Sequence, residues 1–175
     1  EIEEANAEKI IAALEDEKWI NDKSYVETYV RQNGLNGDKG PAMIRQKLIT
    51  KGISKSVIDS CLVDVDFSDL IEKVAEKLLR KYQDKLPIRA LQDKIVQGLM
   101  NKGFTYDLAK KTVSQLDISA DDSMEADLIS KELEKQYRKY SRKYDGYELK
   151  QRLIQALARK GFEFDRIQAV LRDYL

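Results

Sequence analysis

The chain has 175 residues, 35% of them charged, with 31 basic and 31 acidic side chains, one cysteine and no histidine. That composition excludes an internal disulfide, histidine-based catalysis and zinc sites of the usual Cys/His kind. Only 8 glycines and 2 prolines supply turns, the bias of a helical protein, which sets aside an all-β fold. No run approaches the ~18–20 apolar residues that span a bilayer, and Glu1 to Glu17 is acidic where a leader would be basic and then apolar. The expectation is a soluble, cytoplasmic protein without membrane contact.

In chain order, Glu3 to Leu14 comes first, with Ala5, Ile10, Ile11 and Leu14 in helical spacing. Residues 1–21 read as the terminal helix of a preceding unit, so the chain reads as the later part of a longer protein. The stretch Asn33-Gly34-Leu35-Asn36-Gly37-Asp38-Lys39-Gly40-Pro41 follows. It fits neither the G-x4-G-K-[ST] pattern nor a G-x-G-x2-G after a strand, so a mobile connection between helices is expected in place of a phosphate loop.

The next segment opens a repeat. Ile44, Leu48, Lys51, Gly52 and Ile53 return as Ile95, Leu99, Lys102, Gly103 and Phe104, and again as Leu153, Leu157, Lys160, Gly161 and Phe162. An aliphatic side chain stands eleven residues beyond each lysine: Leu62, Val113 and Leu171. Cys61 falls in the apolar pattern of Val57, Ile58 and Leu62 and reads as a small hydrophobe, not a reactive thiol. Ile71 to Val113 aligns without a gap on Ile129 to Leu171, with Tyr82 matching Tyr140 and Leu91 matching Leu149.

Each copy predicts three helices. Ile71, Ala75, Leu78, Leu79 and Tyr82 share one face of a first helix, with Glu72, Lys73, Glu76, Lys77 and Arg80 on the other. The second helix ends at the Lys-Gly corner, where glycine takes a left-handed conformation and lysine faces the negative end of the helix dipole. The third starts at Ser54 or Thr105 as N-cap; the matching Glu163 is a weaker cap, which places that start near Asp165. The Asp- and Ser-rich stretch 117–127 reads as a linker. The repeats are 22–66, 67–121 and 122–175. Units of about 45–55 residues bury little core alone, so an all-α, elongated and curved array of stacked three-helix repeats is expected.

Charge is unevenly placed. The 24 residues ending at Lys51, Lys102 and Lys160 carry +4, +4 and +6, so the remainder carries −14. If the repeats stack in register, these windows form a basic ridge with an acidic flank. The candidate binding residues are Arg31, Arg45, Lys47, Arg80, Lys81, Arg89, Lys94, Arg138, Lys139, Arg142, Lys143, Tyr144, Tyr147, Lys150, Arg152 and Arg159. Basic side chains neutralise phosphates and tyrosines stack on unpaired bases, the footprint of nucleic-acid or nucleoprotein contact. A plain structural reading stands beside it: solvated charge around a core stripe, with basic residues favoured at helix C-termini. Tyr140 reads as core, whereas Tyr144 and Tyr147 lie beyond the stripe as surface candidates.

Asp121, Asp122 and Glu125 open a helix and are explained by its dipole, without a cation site. No nucleophile has a base within any motif, so no catalytic residue and no cofactor is expected.

Trp19-Ile20-Asn21-Asp22-Lys23-Ser24-Tyr25, Tyr29-Val30-Arg31, and Gly40-Pro41 with Ile44-Arg45-x2-Leu48-x2-Lys51-Gly52-Ile53 carry a resemblance. Together they resemble the most recognisable block of the RecX family of bacterial recombination regulators. The resemblance implies a non-enzymatic modulator in recombination and DNA repair that binds the RecA filament on single-stranded DNA; a monomer is expected. It also implies suppression of filament growth, ATP hydrolysis and strand exchange. A direct DNA-binding helical protein and a protein-binding helical scaffold are the alternatives.

Overall fold

The computed structural model describes residues 4–16, 21–118 and 122–174, and among these every regular element is a helix. Glu1, Glu3, Glu17, Trp19, Ile20 and Asp121 lie outside the described residues, as do the side chains of Ala5 and Asp122. The elements are α1 (Glu4–Asp16), α2 (Asp22–Asn36), α3 (Pro41–Thr50), α4 (Lys55–Leu62), α5 (Ser68–Tyr82), α6 (Ile88–Asn101), α7 (Tyr106–Gln115), α8 (Asp122–Tyr140), α9 (Gly146–Arg159) and α10 (Phe164–Tyr174). After α1 they fall into three successive triplets. Two compact units form, one of residues 1–71 with 102–104, the other of 72–101 with 105–175.

In the first unit α4 packs on both α2 and α3. Spacing of four residues puts Val26 and Val30, then Ile44 and Leu48, then Ile58 and Leu62 on inward faces. With Ile53 they form one buried cluster, lined by Tyr29, Val57, Cys61, Val65 and Phe67. Cys61 is thus a half-buried member of an apolar wall.

In the second unit α8, α9 and α10 all touch one another, and α6 packs on α7. Ile129 and Leu133, then Leu149, Leu153, Ile154 and Leu157, then Phe162, Ile167 and Leu171 make one core. Tyr137 and Tyr140 lean on it, as a stripe of core aromatics should, and so does Tyr144. Leu91, Ile95, Leu99, Ala109 and Val113 are the buried apolar side chains of α6 and α7.

The corners explain the repeat motif. Gly52, Gly103 and Gly161 have φ of 88°, 91° and 97°. At the first, the Ile53 N–H donates to the Leu48 carbonyl at 3.2 Å and the Gly52 N–H to that of Ile49 at 2.9 Å. At the third, Phe162 bonds back to Leu157 at 3.4 Å and Gly161 to Ala158 at 3.0 Å. This is the paired C-cap in which the residue after glycine also meets the leucine below it. Leu-x2-Lys-Gly-Ile is therefore one physical device: two bonds, a left-handed residue and an apolar contact.

Four local expectations change. The stretch 117–127, read as a linker, is helical from Asp122 on, where α8 begins. α10 opens at Phe164, one residue earlier than Asp165, because the Glu163 carbonyl accepts the Ile167 N–H at 2.9 Å and starts the helix without a side-chain cap. Thr105 occupies the N-cap position of α7 but its hydroxyl caps nothing, whereas Ser54 accepts the Val57 N–H at 3.5 Å. The glycine-rich stretch is pinned. Gly34 lies within α2, and Asn33, 6% exposed, holds the turn by donating to the Lys39 carbonyl at 2.7 Å and accepting its N–H at 3.2 Å.

Candidate functional site

The start of a helix has N–H groups without partners, and the end of a helix has spare carbonyls. In the first unit these needs meet. The Gly40 N–H donates to the Lys102 carbonyl at 2.6 Å and the Ala42 N–H to the Gly103 carbonyl at 3.1 Å, seating the second corner on the start of α3. Lys102 pairs there with Asp38. The corner is thus anchored on a helix start, not set beside the first corner, and a Cβ on Gly52 would meet open space.

The corner lysines answer to more than the helix dipole. Lys51 lies 5.3 Å from the Tyr25 ring centre. A hydrogen bond to Tyr25 raises its ammonium pKa above the ordinary value, and the charge of that side chain acts in the same direction. Lys160 stands 3.7 Å from Glu132.

Arg31 and Lys47 are exposed in the first unit. Arg45 is half-buried and committed to Asp59, its Nε 2.6 Å from the carboxylate. In the second unit Arg80, Lys81, Arg89, Lys94, Arg138, Lys139, Arg142, Lys143, Tyr147, Arg152 and Arg159 are exposed, and Lys150 is half-buried. Arg80 and Arg138 reach Glu76 and Glu134 one turn back, at 3.1 and 3.9 Å. Such exposed pairs exchange readily with solvent and other anions.

The second unit brings two groups together. Lys139 lies over Tyr140 at 5.4 Å, Tyr140 is 6.3 Å from Tyr144, and Arg152 stacks over Tyr144 at 4.7 Å. Tyr144 is therefore half-buried between an arginine and the core, while Tyr147 is 78% exposed. Arg89 and Arg159, far apart in the chain, line one cleft with Lys160.

Sequence reasoning missed Tyr82, whose half-buried ring carries Lys81 at 5.1 Å and Lys94 at 5.7 Å. The signal was the dipeptide Lys81-Tyr82, which matches Lys139-Tyr140. Cations held over ring faces keep their charge while their stems are ordered, so these are prearranged positive points. Among the described residues no group of three or more Cys, Asp or Glu side chains is placed to hold a metal ion. Among the same residues no helix is long and apolar enough to cross a membrane.

Fold and surface together define an all-helical protein of tandem three-helix units with cations gathered around half-buried tyrosines. Comparison with known proteins specifies it further. The family described as RecX, second three-helix domain, matches residues 21–62, and that described as RecX, third three-helix domain, matches 64–113 and again 123–171. The chain is 55% identical to the regulatory protein RecX of Streptococcus pyogenes over 175 residues, all of this chain and 68% of the relative. It is 56% identical to that of Streptococcus equi subsp. zooepidemicus over 165 residues, 94% of this chain and 64% of the relative. The crystal structure of RecX from Lactobacillus salivarius superposes with a TM-score of 0.60 at 35% identity, covering 68% of this chain and 79% of that one. This chain belongs to the RecX family. It spans about two thirds of the length of these curated relatives.

Proposed function

We propose that this chain regulates the RecA recombinase, binding its filament on single-stranded DNA and inhibiting filament growth, ATP hydrolysis and strand exchange. It acts as a cytoplasmic monomer by binding, without a cofactor and without catalysing a reaction. The working units are the repeats 22–66, 67–121 and 122–175, with residues 1–21 as the end of a preceding one. One observation carries the reading. A chain 55% identical to a regulatory protein RecX exposes Arg138, Lys139, Arg142, Lys143 and Tyr147 along the end of α8 and the start of α9. A cluster of cations with an exposed ring suits a strand of phosphates and bases held in a protein filament.

The test is a titration of this chain into RecA turning over ATP on single-stranded DNA. Loss of ATPase at substoichiometric amounts is expected, because a bound regulator blocks growth of many subunits. Unchanged ATPase at saturating protein rules the reading out. Tight binding to bare DNA with unchanged ATPase would favour the plain DNA-binding alternative.

A further inference from the structure

The third corner and the start of α6 enclose a cleft of about 310 Å³ lined by Arg89, Asp93, Arg159 and Lys160. Gly161 lies against the backbone of Ala90, since a Cβ on it would come 3.1 Å from the Ala90 nitrogen. A corner and a helix start therefore meet here as the second corner and α3 do in the first unit. The chemistry is reversed.

In the first unit the corner carbonyls take the helix N–H groups, and Asp38 neutralises Lys102. Asp38 stands thirteen residues before Lys51, and the residue thirteen before Lys102 is Arg89. Where one repeat offers a carboxylate to the lysine of the next corner, the following repeat offers a guanidinium. Among the described residues no backbone bond joins the third corner to α6. Arg89 has no ion-pair partner among them. Arg159 has none either, although its Nε–H donates to the Gln155 carbonyl at 3.3 Å. Lys160 is met by Glu132 at 3.7 Å, which leaves Arg89 and Arg159 facing the single carboxylate of Asp93, an excess of positive charge that a bound anion would relieve.

We infer that this cleft seats a phosphate oxyanion, and that the oxyanion is a backbone phosphodiester of single-stranded nucleic acid. A tetrahedral oxyanion offers acceptors to donors arriving from two helix ends, where a planar carboxylate offers two oxygens in one plane. Arginine forks match it in pairs, and the start of α6 adds its positive end. The assignment to nucleic acid rests on the proposed reading of the basic windows; the anion site itself does not.

Two variants test it, Arg89→Gln with Arg159→Gln, and Arg89→Asp, which rebuilds the acid-to-lysine pairing of the first unit. Inorganic phosphate titrated at constant ionic strength is expected to raise the thermal midpoint of the parent chain and of neither variant. A labelled oligo-dT is expected to bind the double variant about tenfold more weakly, with a flatter salt dependence by about one phosphate contact. An equal phosphate response in parent and variants overturns the site. A lost phosphate response with unchanged oligo-dT affinity overturns the nucleic-acid assignment in favour of free phosphate. Loss of recombinase binding with both anion measurements unchanged overturns it in favour of an acidic protein segment. The phosphate response and RecA inhibition are separate readouts. The response without inhibition refutes the regulator reading alone, and inhibition without the response refutes the site alone.

Discussion

Asn33 shows how much one buried polar side chain can decide. Its carboxamide satisfies both backbone groups of Lys39, replacing two bonds that water would otherwise make. Asn33→Ala leaves those part-buried groups without their partner. A loss of about 1–3 kcal/mol is expected in urea unfolding. Asp66 makes a different case. Its carboxylate accepts the Ser68 N–H at 2.9 Å where α5 begins. Hydrogen bonds from the Ser68 side chain and then its backbone hold the pKa below the ordinary 3.8. A carboxyl lowered by folding stabilises above its unfolded value, and the contribution disappears as pH falls through the folded one. Asp66→Asn should therefore lower the thermal midpoint at neutral pH, with the gap to the parent closing below about pH 4. A gap that persists unchanged into acid would show that the charge is not the cause.

At the scale of elements the three corners offer an internal control, because they share a left-handed φ but differ in what surrounds them. Gly52→Ala meets no neighbour, so only the conformational penalty applies, about 1–2 kcal/mol. At Gly103 an added Cβ would also stand 2.5 Å from the Met43 nitrogen, and the backbone of the start of α3 would have to give way. Gly103→Ala should cost clearly more than Gly52→Ala in the same denaturant series; equal costs would mean that the seat on α3 is loose. The corners were legible in sequence because a left-handed C-cap has few chemical solutions and the four-residue spacing of Ile44, Leu48 and their copies is that of one helix face. The seat of Gly103 on Gly40 and Ala42 was not, since nothing local in either segment announces a partner some sixty residues away. The same holds for the meeting of Arg89 with Arg159. Tyr144 was misplaced toward the surface because helical periodicity ends at Tyr140, and the turn that follows folds its ring back onto the core.

The molecule as a whole has a net formal charge of zero, so an attraction to phosphate cannot come from its total charge and must come from placement. This separates two explanations that a single charge-reversal variant would confuse. Replacing Arg138, Lys139, Arg142 and Lys143 by glutamate takes the net charge from 0 to −8, as does replacing Lys55, Lys73, Lys77 and Lys111. All eight side chains are exposed, so neither set should disturb the core. Placement predicts that the first set abolishes inhibition of the RecA ATPase while the second keeps most of it at physiological salt, where charges farther apart than about 8 Å are largely screened. Total charge predicts equal loss. Repeating both titrations at low salt sharpens the distinction, because the longer screening length lets remote charges act and the second set should then begin to weaken inhibition. If the first set inhibits like the parent at every salt concentration, the end of α8 and the start of α9 do not form the contact, and the cleft at Arg89 and Arg159 becomes the next basic surface of the second unit to test.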